Sequence, residues 1–270
     1  MISISLEGRR ALVSGAGYIP GRAGHGRASA LRLAEAGATV ACVDCDKGRA
    51  HAIVREVRAC GGKAFPVVAD MTVNAQVERA VSEAVTELGG IDVCVDIIGK
   101  AWWDKVENVS DADWDSAIQT NLTQVFYLYR AVGRQMIEQG TGGSLVAITS
   151  VDGTVAAVYH AAYGAAKAGV ISLTKTFSDG LGRHGIRVNS VAPGNVGNGN
   201  EDQQDGDWAT NGINPLAAPR GRDIGNAVLF LSSDLAARIT GQTLIVDGGV
   251  TARGLWGTTP DRLDHHRKHH

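Results

Sequence analysis

The chain has 270 residues, 44% of them hydrophobic and 20% charged, with a formal net charge of −2. That length alone would allow two domains, but no linker is marked in the composition, so one soluble globular domain over 1–270 with a single large core is expected. The near-neutral charge argues against nucleic acid or a membrane surface as partner, and no apolar run approaches the ~20 residues needed to span a bilayer.

The first eight residues, Met1 to Gly8, lack the basic start and apolar centre of a secretory signal, so a cytoplasmic protein is expected. Cys42, Cys45, Cys60 and Cys94 read as reduced structural thiols, because Cys42-x-x-Cys45 has no second pair to complete a metal site. No metal is expected, and the histidine-rich end, 265–270, reads as a solvated terminus or a purification-tag remnant.

In chain order, a strand at 11–13 leads through a Gly-rich loop to a helix over about 26–36. A strand at 39–43, closed by Asp44, is followed by a helix over 47–60, a strand over 63–68 and a helix over 73–88. Then come a strand over 91–97, a helix near 113–138, a strand over 144–149 and a helix over 161–182. A strand at 187–191, an irregular stretch, a helix over 222–232 and a strand at 243–246 complete the pattern. Strands that are continuous apolar runs between helices predict an α/β fold, a parallel sheet of about seven strands covered on both faces. Right-handed crossovers make it a doubly wound, Rossmann-like sheet with its ligand crevice at the strand C-terminal ends.

Between the first strand and first helix lies Val13-Ser14-Gly15-Ala16 … Gly24-His25-Gly26-Arg27. Glycines there let the backbone approach a pyrophosphate, and the helix N-terminus offers free N–H groups and the positive end of its dipole. Asp44 is placed to accept both adenosine ribose hydroxyls and to repel a 2′-phosphate, which favours NAD over NADP. Arg22 is the counterweight, since a guanidinium beside this turn can hold that phosphate. The bland alternative is a helix cap and a solvated acid.

Tyr163-Gly-Ala-Ala-Lys167 lies on a predicted helix with both functional side chains on one face. A free tyrosine, with a pKa of about 10, is a poor base at neutral pH, and a nearby ammonium favours its phenolate. The spacing alone fits an ordinary helix face equally well.

Together these motifs resemble the short-chain dehydrogenases/reductases, over about residues 6 to 249. The family's Thr-Gly-x-x-x-Gly-x-Gly appears as Ser14-Gly15 … Gly24-His25-Gly26. The intervening stretch, 16–23, is longer than the family's and either folds over the pyrophosphate or bulges into solvent. The resemblance implies cofactor contacts from Gly15, Gly24, His25, Gly26 and Asp44, and from the adenine-contacting pair Asp70-Met71. It also implies them from Gly99, Tyr163, Lys167, Pro193, Gly194 and Val196, with Asn198 as a candidate for the carboxamide. Asp96-Ile97-Ile98-Gly99 stands where the family has Asn-Asn-Ala-Gly. Gly99 keeps the close backbone approach, and Asp96 is a candidate to replace the lost amide hydrogen bonds.

The chemistry implied by the resemblance is reversible hydride transfer between NAD and a secondary alcohol or ketone. In it Tyr163 is the general acid/base, Lys167 lowers its pKa, Ser150 positions the substrate oxygen and Asn121 supports a water relay to Lys167. Substrate contacts are expected from Ser150, Asp152, Tyr159, His160, Asn195 and Trp102, with Val151, Ala157, Trp103 and Trp208 as further lining. An acidic, Gly-rich loop over about 195–220 reads as a lid, and a tail over about 250–270 as a subunit contact or a frayed end. A carrier-linked 3-oxoacyl reductase is the alternative within the family and needs a basic entrance. A non-catalytic nucleotide-binding regulator is the alternative outside it, and has no need of Ser150, Tyr163 and Lys167. The family implies a homotetramer or homodimer built through the two long helices, 113–138 and 161–182.

Overall fold

Seven strands make one parallel sheet in the order β3-β2-β1-β4-β5-β6-β7. They are β1 (Arg10–Ser14), β2 (Thr39–Asp44), β3 (Lys63–Val68), β4 (Val93–Asp96), β5 (Gly143–Ile148), β6 (Ile186–Pro193) and β7 (Thr243–Val246). The structure, a computed structural model, describes residues 4–196 and 216–253. Asn198, Trp208, the histidine-rich end and most of the expected lid and tail lie outside the described residues.

Alternation along the strands explains why both faces are covered. Ala11, Val13, Val40, Cys42, Val93, Val95, Val146 and Ile148 enter one core, while Leu12, Ala41, Val43, Cys94, Leu145 and Ala147 enter the other. A strand that buries both sets of side chains reads as an unbroken apolar run. Helices α1 (His25–Glu35), α2 (Lys47–Ala59) and α7 (Gly221–Ser232) close the first core with Leu33, Ile53, Val57 and Val228. Helices α3 (Asn74–Leu88), α5 (Gln124–Gln139) and α6 (Ala161–Gly182) close the second with Val77, Leu128, Val132 and Val170. Each fully buried Val, Leu or Ile stabilises by about 1.5–3 kcal/mol, so these two layers hold the fold.

Two elements differ from expectation. The strand placed over 91–97 pairs only over Val93–Asp96. At its start Asp92 is taken by Arg10, with Nε to Oδ2 at 2.9 Å and Nη2 to Oδ1 at 2.6 Å. The helix placed near 113–138 is α4 (Asp111–Ile118), a π-helical turn over Gln119–Thr123, and then α5, with the Gln124 N–H donating to Gln119 O. A π turn carries one residue more than an α turn and recurs at functional sites; here it includes Asn121, which is fully buried. No described helix is long and apolar enough to cross a membrane.

Candidate active site

The chain moves outward from β1 to β2 and β3, then returns to place β4 on the other side of β1. The reversal leaves a crevice beyond the C-terminal ends of β1 and β4, where doubly wound sheets bind their ligands. It is a cleft of about 790 Å³, with Asp44 at its β2 side and Ser150, Tyr163 and Lys167 at its β5 side.

At the β2 side the backbone comes first. Gly24 precedes α1 in the left-handed conformation (φ 65°) and gives that helix no side-chain cap. With no side-chain cap among the described residues, the helix start at His25 and Gly26 leaves backbone amides that suit an anion such as a pyrophosphate. Gly26 lies so close to β1 that a Cβ on it would fall 1.9 Å from Gly15 O. The enlarged stretch is exposed from Tyr18 to Arg22, yet Gly17, Ile19, Arg22 and Ala23 line the cleft, and a Cβ on Gly17 would meet Asp44 Oδ2 at 2.4 Å. Asp44 is 7% exposed, and its Oδ1 accepts from Asp46 N (2.9 Å) and from Arg49 Nη2 (2.7 Å) and Nε (3.1 Å). Asp46 caps α2 by accepting from Arg49 N at 2.8 Å, which sets Arg49 on the first turn facing Asp44. Asp70 and Met71 also line the cleft, with Asp70 Oδ1 accepting from Thr72 N and Oγ1.

At the β5 side, Thr149 Oγ1 donates to Lys167 O at 2.7 Å, tying the end of β5 to α6. Ser150 follows, 8% exposed, and its Oγ accepts from Asp152 N at 3.1 Å. Lys167 is 1% exposed; its Nζ donates to Ile148 O at 2.8 Å and lies 5.6 Å from the Tyr163 ring centre. Burial lowers Lys167 to about 8, against the opposing charge of Asp96. Burial, helped by Asp152 and opposed by the Ser150 hydroxyl, pushes Tyr163 up to about 12. The expectation that Lys167 draws Tyr163 towards neutrality is therefore not met, because desolvation of the phenol dominates. His25, at the start of α1, is lowered to about 4 by burial and by the charge of Lys167, and its Nε2 is buried with no partner among the described residues.

Asn121 does not reach the cleft surface. Its Oδ1 accepts from Lys100 N (2.9 Å) and its Nδ2 donates to Lys100 O and Ala117 O (both 2.9 Å). These bonds hold the segment at Gly99, where a Cβ would lie 3.2 Å from both Asn121 Oδ1 and Lys167 Nζ. Pro193, Gly194, Asn195 and Val196 complete the wall above β6.

Four expectations are corrected. Asp96 lies fully buried below the cleft and accepts from Gln124 Nε2 at 2.8 Å, so it anchors α5 and does not replace cofactor-facing amides. Burial raises it to about 6, against the Gln124 amide and the Lys167 charge. Trp102 is not among the lining residues; the Lys100 ammonium sits 4.7 Å over its ring, and Trp103 takes the cleft side, as alternation along an extended segment requires. Tyr159 is also absent from the lining: it adopts a left-handed backbone (φ 64°), is 55% exposed, and its backbone carbonyl accepts from Asp104 N at 3.0 Å. Ala157 packs against Gly164 instead of lining the cleft. Arg49 and Val250 are lining residues that sequence reasoning missed. For Arg49 the signal was present, an Asp46 cap followed by a cation within the first turn.

The family model described as enoyl-(acyl carrier protein) reductase matches residues 21–251. The 3-oxoacyl-[acyl-carrier-protein] reductase of Staphylococcus epidermidis is 36% identical over 90% of this chain and 98% of its own length. D-threitol dehydrogenase of Mycolicibacterium smegmatis is 35% identical over 92% of this chain and 95% of its own length. A solved short-chain dehydrogenase/reductase structure from Burkholderia xenovorans superposes with a TM-score of 0.85 at 37% identity, over 93% of this chain and all of that one. Fold and likeness together make the protein an oxidoreductase. Within that class the chain belongs to the short-chain dehydrogenase/reductase family.

Proposed function

We propose that the protein interconverts a secondary alcohol and a ketone using NAD(H), with Tyr163 as general acid/base. The observation that carries this reading is the convergence of Ser150, Tyr163 and Lys167 on one side of a cleft whose other side ends in Asp44. The residues present fit a dinucleotide: the uncapped start of α1 for a pyrophosphate, Asp44 for the adenosine ribose, and Asp70 and Met71 for adenine. Lys167 is placed for the second ribose, and Pro193, Gly194 and Val196 for the nicotinamide. Bound there, the cofactor would accept or supply the hydride.

The chain's own groups manage the proton and the oxygen. Ser150 holds the substrate oxygen beside the Tyr163 hydroxyl. A phenol raised to about 12 is protonated at neutral pH, the state that donates a proton during ketone reduction. In the oxidative direction Tyr163 must take the hydroxyl proton, which its phenolate does, so oxidation speeds up as pH rises above neutral and reduction does not. Asn121 holds Gly99 and Lys100 so that the Lys167 ammonium keeps its place beside the reacting groups.

Tyr163→Phe removes the transferable proton and leaves the ring, so turnover should fall by at least ~1,000-fold while NAD affinity changes little, as expected when an acid/base group acts in the transition state. Steady-state rates and calorimetric NAD titration check both halves; undiminished activity in this variant overturns the mechanism. A carrier-linked 3-oxoacyl reductase is the second reading, favoured by the Staphylococcus epidermidis relative. Reduction of an acetoacetyl thioester, assayed with both reduced cofactors, separates the two. We assign a homodimer or homotetramer to the protein, formed through α5 and α6.

A further inference from the structure

The side of the cleft beside Ser150 holds a polar pair that hydride transfer does not use. Asp152 and His160 both line it. Asp152 is tied to the reacting centre through its backbone N–H, which donates to Ser150 Oγ at 3.1 Å. His160 stands at the start of α6, with its ring centre 5.8 Å from that of Tyr163. His160 Nδ1 and Asp152 Oδ2 are 2.9 Å apart.

The chemistry of this pair follows from its partners. A carboxylate only accepts, so Nδ1 carries the proton and donates to Asp152 Oδ2, which holds that carboxylate in place beside Ser150. Among the described residues Nε2 has no hydrogen-bond partner, and the Trp103 ring packs edge-on against the imidazole with centres 3.8 Å apart. Asp152 Oδ1 likewise has no protein partner there, and the Asp152 side chain remains a quarter exposed (25%). Asp152, oriented by His160, thus offers a hydrogen-bond acceptor and a negative charge to whatever lies beside the oxygen held by Ser150.

We propose that Asp152 and His160 form a hydroxyl-recognition subsite, so that the substrate carries a further hydroxyl next to the carbon that reacts: a polyol, a sugar or a hydroxyketone. This rests on the oxidoreductase reading and supplies its substrate class. A hydroxyl donates to the free carboxylate oxygen of Asp152. A ketone, ether or thioester oxygen has nothing to donate, and a carboxylate or phosphate is repelled by Asp152. A site built to bond a substrate hydroxyl discriminates strongly against analogues that lack it, because its own polar groups are then left unpaired. The β-oxygen of a 3-oxoacyl thioester brings acceptors to acceptors, so the subsite disfavours that class.

The test measures binding apart from turnover. Full-length Tyr163→Phe protein saturated with NAD is titrated calorimetrically with threitol, erythritol and 2,3-butanediol, and with 2-butanol as the mono-alcohol control. At least one polyol or diol should bind about tenfold or more tightly than 2-butanol, the value of one charge-assisted hydrogen bond. Adding Asp152→Leu should erase that difference without weakening 2-butanol. His160→Phe keeps the ring contacts, removes the Nδ1 donor that orients Asp152 and should reduce the difference, which covers the case of a misfolded Asp152 variant. Equal binding of all four compounds, or a preference that survives both substitutions, overturns the proposal. Wild-type turnover is read separately: a polyol bound through Asp152 but never oxidised overturns the reaction reading and leaves the subsite standing.

Discussion

On the proposed reading Asp44 is the residue on which cofactor choice turns, and the structure gives it company. Arg49 and the Asp46 amide use Oδ1, while Gly17 closes against Oδ2. The carboxylate is thereby held in one orientation, ready to accept from ribose hydroxyls. Arg49 at the same time weakens the repulsion that a 2′-phosphate would meet, and Arg22 stands nearby in the same lining. Asp44→Ser should therefore lower the NAD-over-NADP preference by about 10–100-fold, the range for losing charge-assisted hydrogen bonds, and free Arg49 for the phosphate. Arg49→Ala should widen the preference instead. Dissociation constants for both nucleotides decide this, and a wild type that binds NADP more tightly reverses the assignment. At this scale the chemistry-bearing residues were legible because their spacing is local: Tyr163 with Lys167, and Gly24 with Gly26. The surroundings were not. The desolvation that holds Tyr163 near 12, the turn of Trp102 away from the cleft and the burial of Asp96 all depend on neighbours far away in sequence.

At the scale of elements, the meeting of α1 with β1 sets how near a ligand comes to the backbone. A methyl group at position 26 would overlap the Gly15 carbonyl, and a backbone atom has nowhere to retreat. Gly26→Ala should destabilise by at least the ~1–3 kcal/mol typical of overpacking, and should weaken nucleotide binding by displacing the start of α1. Thermal denaturation and NAD titration report the two effects, and unchanged values in both would show that α1 can slide. Element existence was readable from the sequence because each strand is an apolar run and each helix has a polar face. The ends of β4 and the break before α5 were not, since Asp92 and Asn121 are fixed by Arg10 and Lys100.

For the whole molecule the open side of the sheet matters most. β7 is the edge strand, with Leu244 38% and Ile245 43% exposed, and α5 shows Phe126 and Ile137 to the outside. An apolar edge without a bulge or charge invites pairing, which an oligomer would satisfy. Sedimentation should therefore give a dimer or tetramer at micromolar protein, and a monomer at that concentration removes the assigned assembly. The doubly wound architecture was the most legible level of all, because it follows from alternation of strand and helix.

The π turn at Gln119–Thr123 has a consequence for any attempt to tidy the helix that contains it. Each residue of an α-helix advances about 100° around the axis, so removing one residue there would rotate everything downstream by that angle. Val125, Leu128, Tyr129, Val132 and Met136 would swing off the second core and the polar flank would replace them. Asn121 would turn with the same stroke and let go of Lys100. The surplus residue thus acts as a phase setting, keeping the packing face of α5 and the buried amide of Asn121 in step.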